Sequence, residues 1–556
     1  MNRINKVILI ICLSLLYSPL LIAISHSAGT SPVNLNHWAY DIVERFAAEG
    51  YLNGFALNTK PYTRSDFVDI IIAMDSAVEE DNKGLNPLDL RLLDKLKSEF
   101  EFDLNDSGEW PDLPKSQSHL LSWYGDDYRW VLDPVLKGGV FETYTKNPDE
   151  SWFTNTSATG IITYGYFRND IDFYLYFRDT RFGRKNDFTS VDEISIENEA
   201  ITSVTMEGNT ASFDRAYACL SAKLKWFNAG IGRYKIDWGP SENGGLLFSA
   251  YALPFDRIIL QYPGKRVRGT FIAGNLATEL IDSAQSYQTP AKYRKNYKEK
   301  HIASHRLEVL PFGNLTIGLS ESVIYGERGF DLGYLIPDMV FWSEQHYLGD
   351  RDNLLMSFDI TYYPFRRYRF YGSLLVDDLS IGKLGDDFWG NKWAIQVGAE
   401  NIDPLGIEGL SIRSEYVRIE PYVYTHFYAI NSYTNHDQFL GYPLQPNSDR
   451  LSLTADYWFS PYIRFDLEYR WIRHGANPSG QNVGGDILFG HREVDPLTKD
   501  FLAGVEDNSW DIALGGGYEF FTEAFLKAKM EFKRNVYDGG KSDLWRIMAW
   551  VSYRYY

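Results

Sequence analysis

From about residue 134 to the C-terminus, apolar and polar residues alternate with a period of two, in long runs. In the segment that starts at residue 462, for example, Ile463, Phe465 and Leu467 alternate with Arg464 and Asp466. This alternation predicts strands with lipid on one face and water on the other. A soluble sandwich would also alternate, but its strands are typically shorter and its apolar face packs on a second sheet. We therefore predict an all-β transmembrane barrel over residues 134–556.

The connections between the predicted strands give a second argument for a barrel. The alternation predicts about 18 antiparallel strands, at 134–146, 158–169, 171–180, 214–226, 229–236, 256–262, 267–275, 303–310, 315–324, 354–363, 367–376, 392–400, 409–420, 450–458, 462–472, 511–521, 525–535 and 544–555. The stretch 244–250 is an alternative strand. Short connections such as 311–314 alternate with long ones such as 276–302 and 473–510, as periplasmic turns and external loops do in outer-membrane barrels. An even strand number places both ends of the barrel on the periplasmic side.

The chain before the barrel has helical periodicity instead. Apolar side chains recur at intervals of three and four in three segments, residues 37–49, 63–74 and 86–96. Thr63 and Asp66 form a start that is similar to a capping box. We therefore predict a small all-α three-helix domain within residues 29–105, on the periplasmic side, and a linker over residues 106–133.

The first part of this domain resembles a single surface-layer-homology repeat. The resemblance rests on the segments HWAYDIVERFAAEGYLNGF and YTRSDFVDII, in which Trp38, Gly50 and the run from Thr63 occupy motif positions. Such modules bind cell-wall polysaccharide or peptidoglycan, so the resemblance implies that Trp38, Arg64 and Asp66 contact the cell wall. Many of these proteins carry three repeats and one is found here, which implies weak binding or binding by an oligomer. The alternative is that these side chains belong only to the core and surface of the domain.

Residues 1–28 have the features of a Sec signal peptide, with a retained anchor helix as the alternative. The chain has 55 basic and 74 acidic side chains and a formal charge of −19, which argues against a nucleic-acid partner. Two cysteines exclude a disulfide scaffold. An exported, acidic, mostly β protein fits the outer membrane of a diderm bacterium, with its lipid as one partner.

Residues 317–378 resemble the Wzi-type capsule-assembly outer-membrane proteins. The matching features include Glu321-Ser322, Tyr325-Gly326, Pro337, Asp352-Asn353, Tyr371-Gly372 and Asp377-Asp378, with Trp238-Gly239-Pro240 as a second patch. The resemblance implies an 18-stranded barrel with a helical bundle at its periplasmic end, and a role in attaching or assembling capsular polysaccharide at the cell surface. A peptidoglycan-tethered porin for small solutes, with the same fold and a water-filled lumen, is the alternative. Monomer and trimer both remain open.

Two predicted external loops suit contact with a polysaccharide. Loop 276–302 contains a basic and aromatic cluster on an acidic protein, which favours an anionic polymer: Lys292, Tyr293, Arg294, Lys295, Tyr297, Lys298 and Lys300. Loop 421–449 contains Tyr422 and Tyr424, whose flat rings could stack on sugars or could fold the loop inwards as a plug.

Motifs for catalysis are weak. The sequence has no nucleophile elbow, P-loop or HExxH motif. His301 and His305 lie four apart on a predicted strand, a span of about 13 Å that is too long for one metal ion. The carboxylates at 377–378 and 386–387 share one predicted external loop, where solvated side chains are expected rather than a calcium site. We therefore predict no enzyme activity, no cofactor and no metal. The predicted partners are surface polysaccharide and peptidoglycan or another cell-wall polymer.

Overall fold

The structure is a computed structural model that describes residues 29–80, 85–106, 119–125, 127–168, 170–190, 194 and 200–556. The predicted signal peptide and most of the predicted linker lie outside the described residues. The main body is a closed antiparallel barrel of 18 strands, and two short strands, Leu121–Gly125 and Thr205–Glu207, extend it at its rims. The predicted barrel with helices at its N-terminal end is therefore confirmed.

Numbered along the chain, the strands are β1 (Tyr128–Lys146), β2 (Glu150–Phe167), β3 (Ile171–Arg184), β4 (Thr210–Lys223), β5 (Asn228–Arg233), β6 (Asp256–Pro263), β7 (Val267–Leu276), β8 (Lys300–Phe312), β9 (Leu315–Gly326), β10 (Asn353–Tyr362), β11 (Tyr368–Asp378), β12 (Lys392–Ile402), β13 (Leu410–Ile419), β14 (Ser448–Ser460), β15 (Ile463–Ala476), β16 (Val505–Phe521), β17 (Ala524–Tyr537) and β18 (Gly540–Tyr553). Each strand pairs with the next along the chain, and β18 closes the ring by pairing with β1, where Tyr553 lies opposite Leu136.

Several strands begin earlier than predicted, among them β2 at Glu150 instead of residue 158 and β16 at Val505 instead of residue 511. Strand β1 begins at Tyr128, inside the predicted linker, because Val131 and Asp133 face inwards and continue the alternation towards the N-terminus. The stretch 244–250 is not a strand of the barrel. Its Phe248 makes only an isolated bridge, to Trp238.

The period of two separates an outer and an inner face. In β15, Phe465 and Leu467 are exposed on the outside, whereas Arg470 points inwards and pairs with Asp511 at 2.6 Å between its Nε and a carboxylate oxygen. An apolar outer surface suits contact with lipid, and paired charges inside suit a lumen. Among the described residues, no helix combines the length and apolar character needed to cross a membrane.

Four helices precede the barrel in the described residues: α1 (Ala39–Ala48), α2 (Arg64–Glu80), α3 (Pro87–Glu99) and α4 (Glu101–Asp106). The predicted number of three was wrong because the chain bends at Phe100 and then forms one more short helix. Phe100 and Leu104 are both buried there and extend the apolar core of the helices. Asn86 caps α3, since its side chain accepts a hydrogen bond from the Asp89 amide at 2.8 Å.

Residues 29–106, which we call the helical unit, lie at the end of the barrel that has the short turns. The Gly54 amide donates to the carbonyl of Gly313 at 2.9 Å, and the Arg367 amide donates to the carbonyl of Ala48 at 2.7 Å. Both Gly313 and Arg367 belong to short turns between strands. The helical unit is thus periplasmic and the long connections face outwards, in the usual orientation of outer-membrane barrels.

Trypsin added to intact cells should test this orientation. It should cut after Lys292 and Arg294, which are exposed in a long connection, and should spare Arg366 and Arg367, which are exposed in a short turn. The second pair should become sensitive only after the outer membrane is permeabilised. The cut sites are read by mass spectrometry, and cleavage at residues 366–367 of intact cells would mean that the barrel is inverted.

Candidate functional site

Buried ion pairs attach the helical unit to the mouth of the barrel. Arg45, on α1, lies 2.6 Å from a carboxylate oxygen of Asp89 and 2.7 Å from one of Asp403, which follows β12. All three side chains are almost completely buried. Loss of one partner from such a buried set leaves an uncompensated charge, which typically costs ~3–5 kcal/mol. These ion pairs therefore fix the position of the helical unit on the barrel.

A short segment of the helical unit enters the lumen itself. Thr59 and Lys60 pair in antiparallel fashion with Trp238 and Asp237, which come from the long connection between β5 and β6. A periplasmic segment and an external connection thus meet inside the barrel and form a two-stranded sheet there.

Charged groups of the barrel wall hold this segment in place. The Asn58 amide donates to Glu308 at 2.8 Å, and the Thr59 hydroxyl donates to the same carboxylate at 2.6 Å. Beside them, Arg306 forms a buried ion pair with Asp359 at 2.6 Å. These polar groups face the lumen on β8 and β10, and each has a partner there, as buried charges require.

From the outer side, two long connections fold into the lumen. The Tyr424 hydroxyl donates to the carbonyl of Leu246 at 2.5 Å, and the Tyr433 hydroxyl donates to the carbonyl of Leu247 at 2.9 Å. The two rings stack with their centroids 5.7 Å apart. They pack against lumen-facing apolar side chains of the wall, namely Ile302, Ile324, Leu355, Leu375, Val417 and Ile419. We call the inserted parts of these connections, residues 237–253 and 421–444, the outer plug.

The two tyrosines predicted to bind polysaccharide belong to this plug. Tyr422 and Tyr424 are 2% and 1% exposed, and the Tyr422 hydroxyl donates to the carbonyl of Asn482 at 2.9 Å. Burial raises the pKa of Tyr422 to about 12. Both rings are thus folded inwards, as in the plug alternative, and a surface polymer cannot reach them. The exposed aromatic residues of the same connection are Phe427 and Tyr428.

The basic cluster lies on the outer face. Tyr287–Gln288 pairs with Tyr293–Arg294 in a small hairpin, and the side chains of Lys292, Arg294 and Lys295 are exposed along it. Two aromatic rings, Tyr293 and Tyr297, are exposed beside them. We call Lys292, Tyr293, Arg294, Lys295 and Tyr297 the basic hairpin.

Two further lysines of the predicted cluster do not extend the basic hairpin. Lys298 is partly exposed and forms an ion pair with Glu327. Lys300 was expected to be exposed, but it is buried at the start of β8. Its Nζ donates to the carbonyl of Ser432 at 2.8 Å and to the hydroxyl of Thr434 at 3.0 Å. Its ammonium group holds the outer plug and is not available to a polymer.

The residues predicted to contact the cell wall have partners within the protein. The indole of Trp38 donates to Glu523 and lies 4.1 Å from the Nζ of Lys95. Asp66 forms a buried ion pair with Arg268 of β7.

Arg64 is buried as well, with its Nη2 2.6 Å from Asp103. Burial lowers the pKa of the Arg64 guanidinium, but Asp103 beside it raises that pKa further, so the group stays charged. Binding of the cell wall by Trp38, Arg64 and Asp66 therefore stays a prediction, and the observed contacts of all three hold the helical unit together and onto the barrel.

Within the described part of the chain, two buried groups of side chains have the composition of a metal site. They are His37 with Glu99 and Glu523, and Glu49 with Asp89 and Asp403. In the second group, Arg45 already neutralises two of the carboxylates.

In the first group, burial raises the pKa of Glu99, but His37 and the nearby Arg554 lower it by more. In both groups, arginine side chains of the protein thus already compensate carboxylate charge. The external Asp377, weighed above for calcium, is paired with Lys392 at 2.8 Å.

Comparison with known proteins decides the family. A sequence model of the capsule assembly protein Wzi matches residues 173–532, which is more than half of the chain. The chain belongs to the Wzi family. The match runs from β3 to β17, so the helical unit of this Wzi-family protein lies outside it, and the resemblance of that unit to a surface-layer-homology repeat is not tested by it. No curated protein sequence matches the chain.

Solved structures agree with this family assignment at the level of the fold. Wzi of Escherichia coli matches with a TM-score of 0.54 at 13% identity, over 93% of this chain and 99% of its own. That protein is described as a carbohydrate-binding β-barrel of the outer membrane involved in group 1 capsule assembly. OprD of Pseudomonas aeruginosa has a TM-score of 0.41 at 10% identity, over 76% of this chain and 92% of its own. OccAB4 of Acinetobacter baumannii has a TM-score of 0.42 at 8% identity, over 77% of this chain and 97% of its own. These last two scores are too low to support an argument.

Proposed function

We propose that this Wzi-family protein retains capsular or other extracellular polysaccharide at the outer surface of the cell, by binding and without catalysis. The observation that carries the proposal is the basic hairpin, an exposed cluster of cations and aromatic rings on the outer face of a barrel whose lumen is occupied. In this proposal residues 1–28 are a signal peptide, the helical unit is periplasmic and serves assembly and closure, and the barrel presents the hairpin to the polymer.

The segments folded into the lumen disfavour the porin alternative. The outer plug and the segment 58–60 meet inside the barrel, and apolar wall residues such as Leu355 and Leu375 are fully buried against them. A porin for small solutes needs a water-filled path. The contacts described above instead join the plug to the wall on the β8–β13 side, so the main exposed surface for a ligand is external.

Charge explains which polymer the hairpin suits. Lys292, Arg294 and Lys295 carry positive charge on a protein whose formal net charge is −19, so they form a local attractor for uronate or phosphate groups. One exposed ion pair contributes only ~0.2–1 kcal/mol and is screened by salt. Several such contacts with one polymer act together, because neighbouring charges on the same chain are present at high effective concentration.

Replacement of Lys292, Arg294 and Lys295 by Gln should release polysaccharide into the medium while the barrel still assembles. The multivalent enhancement that is lost can reach ~10²–10⁴ in apparent affinity. The measurement is the amount of polymer in the cell pellet and in the medium, with the protein quantified in the outer membrane.

The matched control replaces three other exposed external cations by Gln, namely Lys146, Lys185 and Arg351. It removes the same charge outside the hairpin and should leave retention unchanged. Higher ionic strength should release polymer from the wild type and should have less effect on the hairpin variant. Equal retention by the wild type and the hairpin variant would exclude the hairpin from polymer binding.

A further inference from the structure

A cavity of about 260 Å³ lies at the short-turn end of the barrel, between the helical unit and strands β14–β18. Tyr462, more than half exposed in the turn before β15, forms part of its lining. Its volume is at the lower limit of ligand pockets, which span ~300–1,000 Å³. The space suits one sugar ring and not a length of polymer.

Aromatic rings form much of the cavity wall. The helical unit contributes Trp38, and the barrel contributes Trp458, Tyr462, Phe525, Trp550, Tyr555 and Tyr556. Several cations lie over these rings: Lys95 is 4.1 Å from the centroid of Trp38, and Lys137 is 4.5 Å from that of Tyr555. Flat apolar faces next to polar edges are suited to a pyranose, which has an apolar C–H face and a polar rim.

The charges around the cavity are mixed and nearly balanced. Lys95, Arg464, Lys527 and Lys529 line it together with three carboxylates, Asp41, Asp466 and Glu519. Arg464 is paired with both Asp41 and Asp456, and Lys95 is paired with Glu519. The cavity therefore places charged and polar groups beside the apolar ring faces, as a site for a sugar with hydroxyl and carboxylate groups requires.

Glycines of β16 leave the space open. Gly515 and Gly517 face the lumen beside the cavity. A Cβ at Gly515 would meet a carboxylate oxygen of Asp466 at 2.3 Å, so any larger residue there would have to displace the Asp466 side chain. A Cβ at Gly517 would meet only the Lys527 side chain, at an ordinary 3.4 Å. A larger side chain at Gly517 can therefore enter the cavity without strain, which makes it a means to fill the space selectively.

We infer that this cavity is a second saccharide site, on the periplasmic side, for a single uronate residue stacked among Trp38, Trp550 and Tyr555. The inference rests on the proposed function for the identity of the ligand, whereas the site itself is defined by the cavity, its rings and its charged groups. A chain with both sites would bind polysaccharide on each face of the outer membrane.

The test uses saturation-transfer NMR on the purified full-length protein in detergent, with galacturonate trimer as the probe. All variants carry the three Gln substitutions of the hairpin experiment, so the outer site does not contribute. This background protein should still transfer saturation to the probe, and Gly517→Trp should abolish that transfer because the indole fills the cavity. Ala549→Trp is the matched control, since it adds a bulky ring on the exposed outer face of β18, away from the cavity.

A second variant tests the site without the risk that added bulk prevents folding. Trp550→Ala removes one stacking surface without adding bulk and should weaken binding by about tenfold. Galactose trimer should bind more weakly than galacturonate trimer to the background protein. Absence of transfer in that protein, or equal transfer with Gly517→Trp, would overturn the inference. Neither result affects the proposed function, which depends on retention of polymer by the hairpin in cells.

Discussion

Removal of the outer plug and of the helical unit should convert the protein into an ion-conducting pore, whereas the wild type should be silent in a planar lipid bilayer. The variant lacks residues 29–118 and carries short Gly-Ser linkers in place of residues 240–252 and 422–443, so neither the outer plug nor the segment 58–60 occupies the lumen. Barrels of 16 to 18 strands leave an aqueous channel when nothing fills them. The expected change is from closure to steady conductance, the largest effect that the structure predicts.

The single variants separate the two contributions. Removal of residues 240–252 and 422–443 alone leaves Thr59 and Lys60 anchored to Glu308 and to the helical unit, and should give low or flickering conductance. Deletion of the helical unit alone leaves Tyr424 and Tyr433 stacked in the lumen and should behave similarly. As a control, removal of residues 289–292 shortens the tip of the basic hairpin, outside the lumen, and should leave the protein silent. Steady conductance of the wild type would instead favour the porin alternative.

Much of the barrel was predictable from the sequence because one simple physical constraint acts on every strand. A strand with lipid on one side must place apolar residues at every second position, so Phe465 and Leu467 reveal β15 without any tertiary information. The prediction was less accurate where this constraint ends. Tyr128–Asp133 forms the periplasmic start of β1 and was assigned to the linker, and the short α4 was missed because six residues carry too little periodicity.

The contents of the lumen could not be predicted in the same way. Alternation does not distinguish a charged side chain that faces water from one that is paired with a plug, so Glu308 and Asp359 give no sign of Asn58 in the sequence. Trp238-Gly239-Pro240 is distinctive in the sequence only as a matching patch. In the structure, Trp238 pairs with Thr59 and packs on Phe248, with ring centroids 4.8 Å apart.

The candidate sites also differ in how far the sequence predicts them. The basic hairpin was predictable because charge and exposure go together, and Lys292, Arg294 and Lys295 are exposed as expected. Tyr422 and Tyr424 were ambiguous because an aromatic ring in a loop suits both sugar stacking and burial. Long-range contacts decided between the two, with Asn482 for Tyr422 and Leu246 for Tyr424.

A strain that lacks the protein should lose most polysaccharide from its surface and release it into the medium. The reason is that the proposed function is retention by binding, so synthesis and export continue while the site that holds the polymer is gone. The total amount of polymer, in cells and medium together, should therefore stay close to that of the parent. Expression of the wild-type chain should restore surface polymer, whereas the hairpin variant should restore the barrel without restoring retention.

Staining of surface glycan on these cells, together with assay of polymer in the medium, tests the central claim most directly. Retention by the external site predicts weak surface staining and a matching gain in the medium for the strain without the protein. Unchanged surface staining in that strain would contradict the claim, and so would an equal loss from both cells and medium, because the protein would then act in synthesis or export.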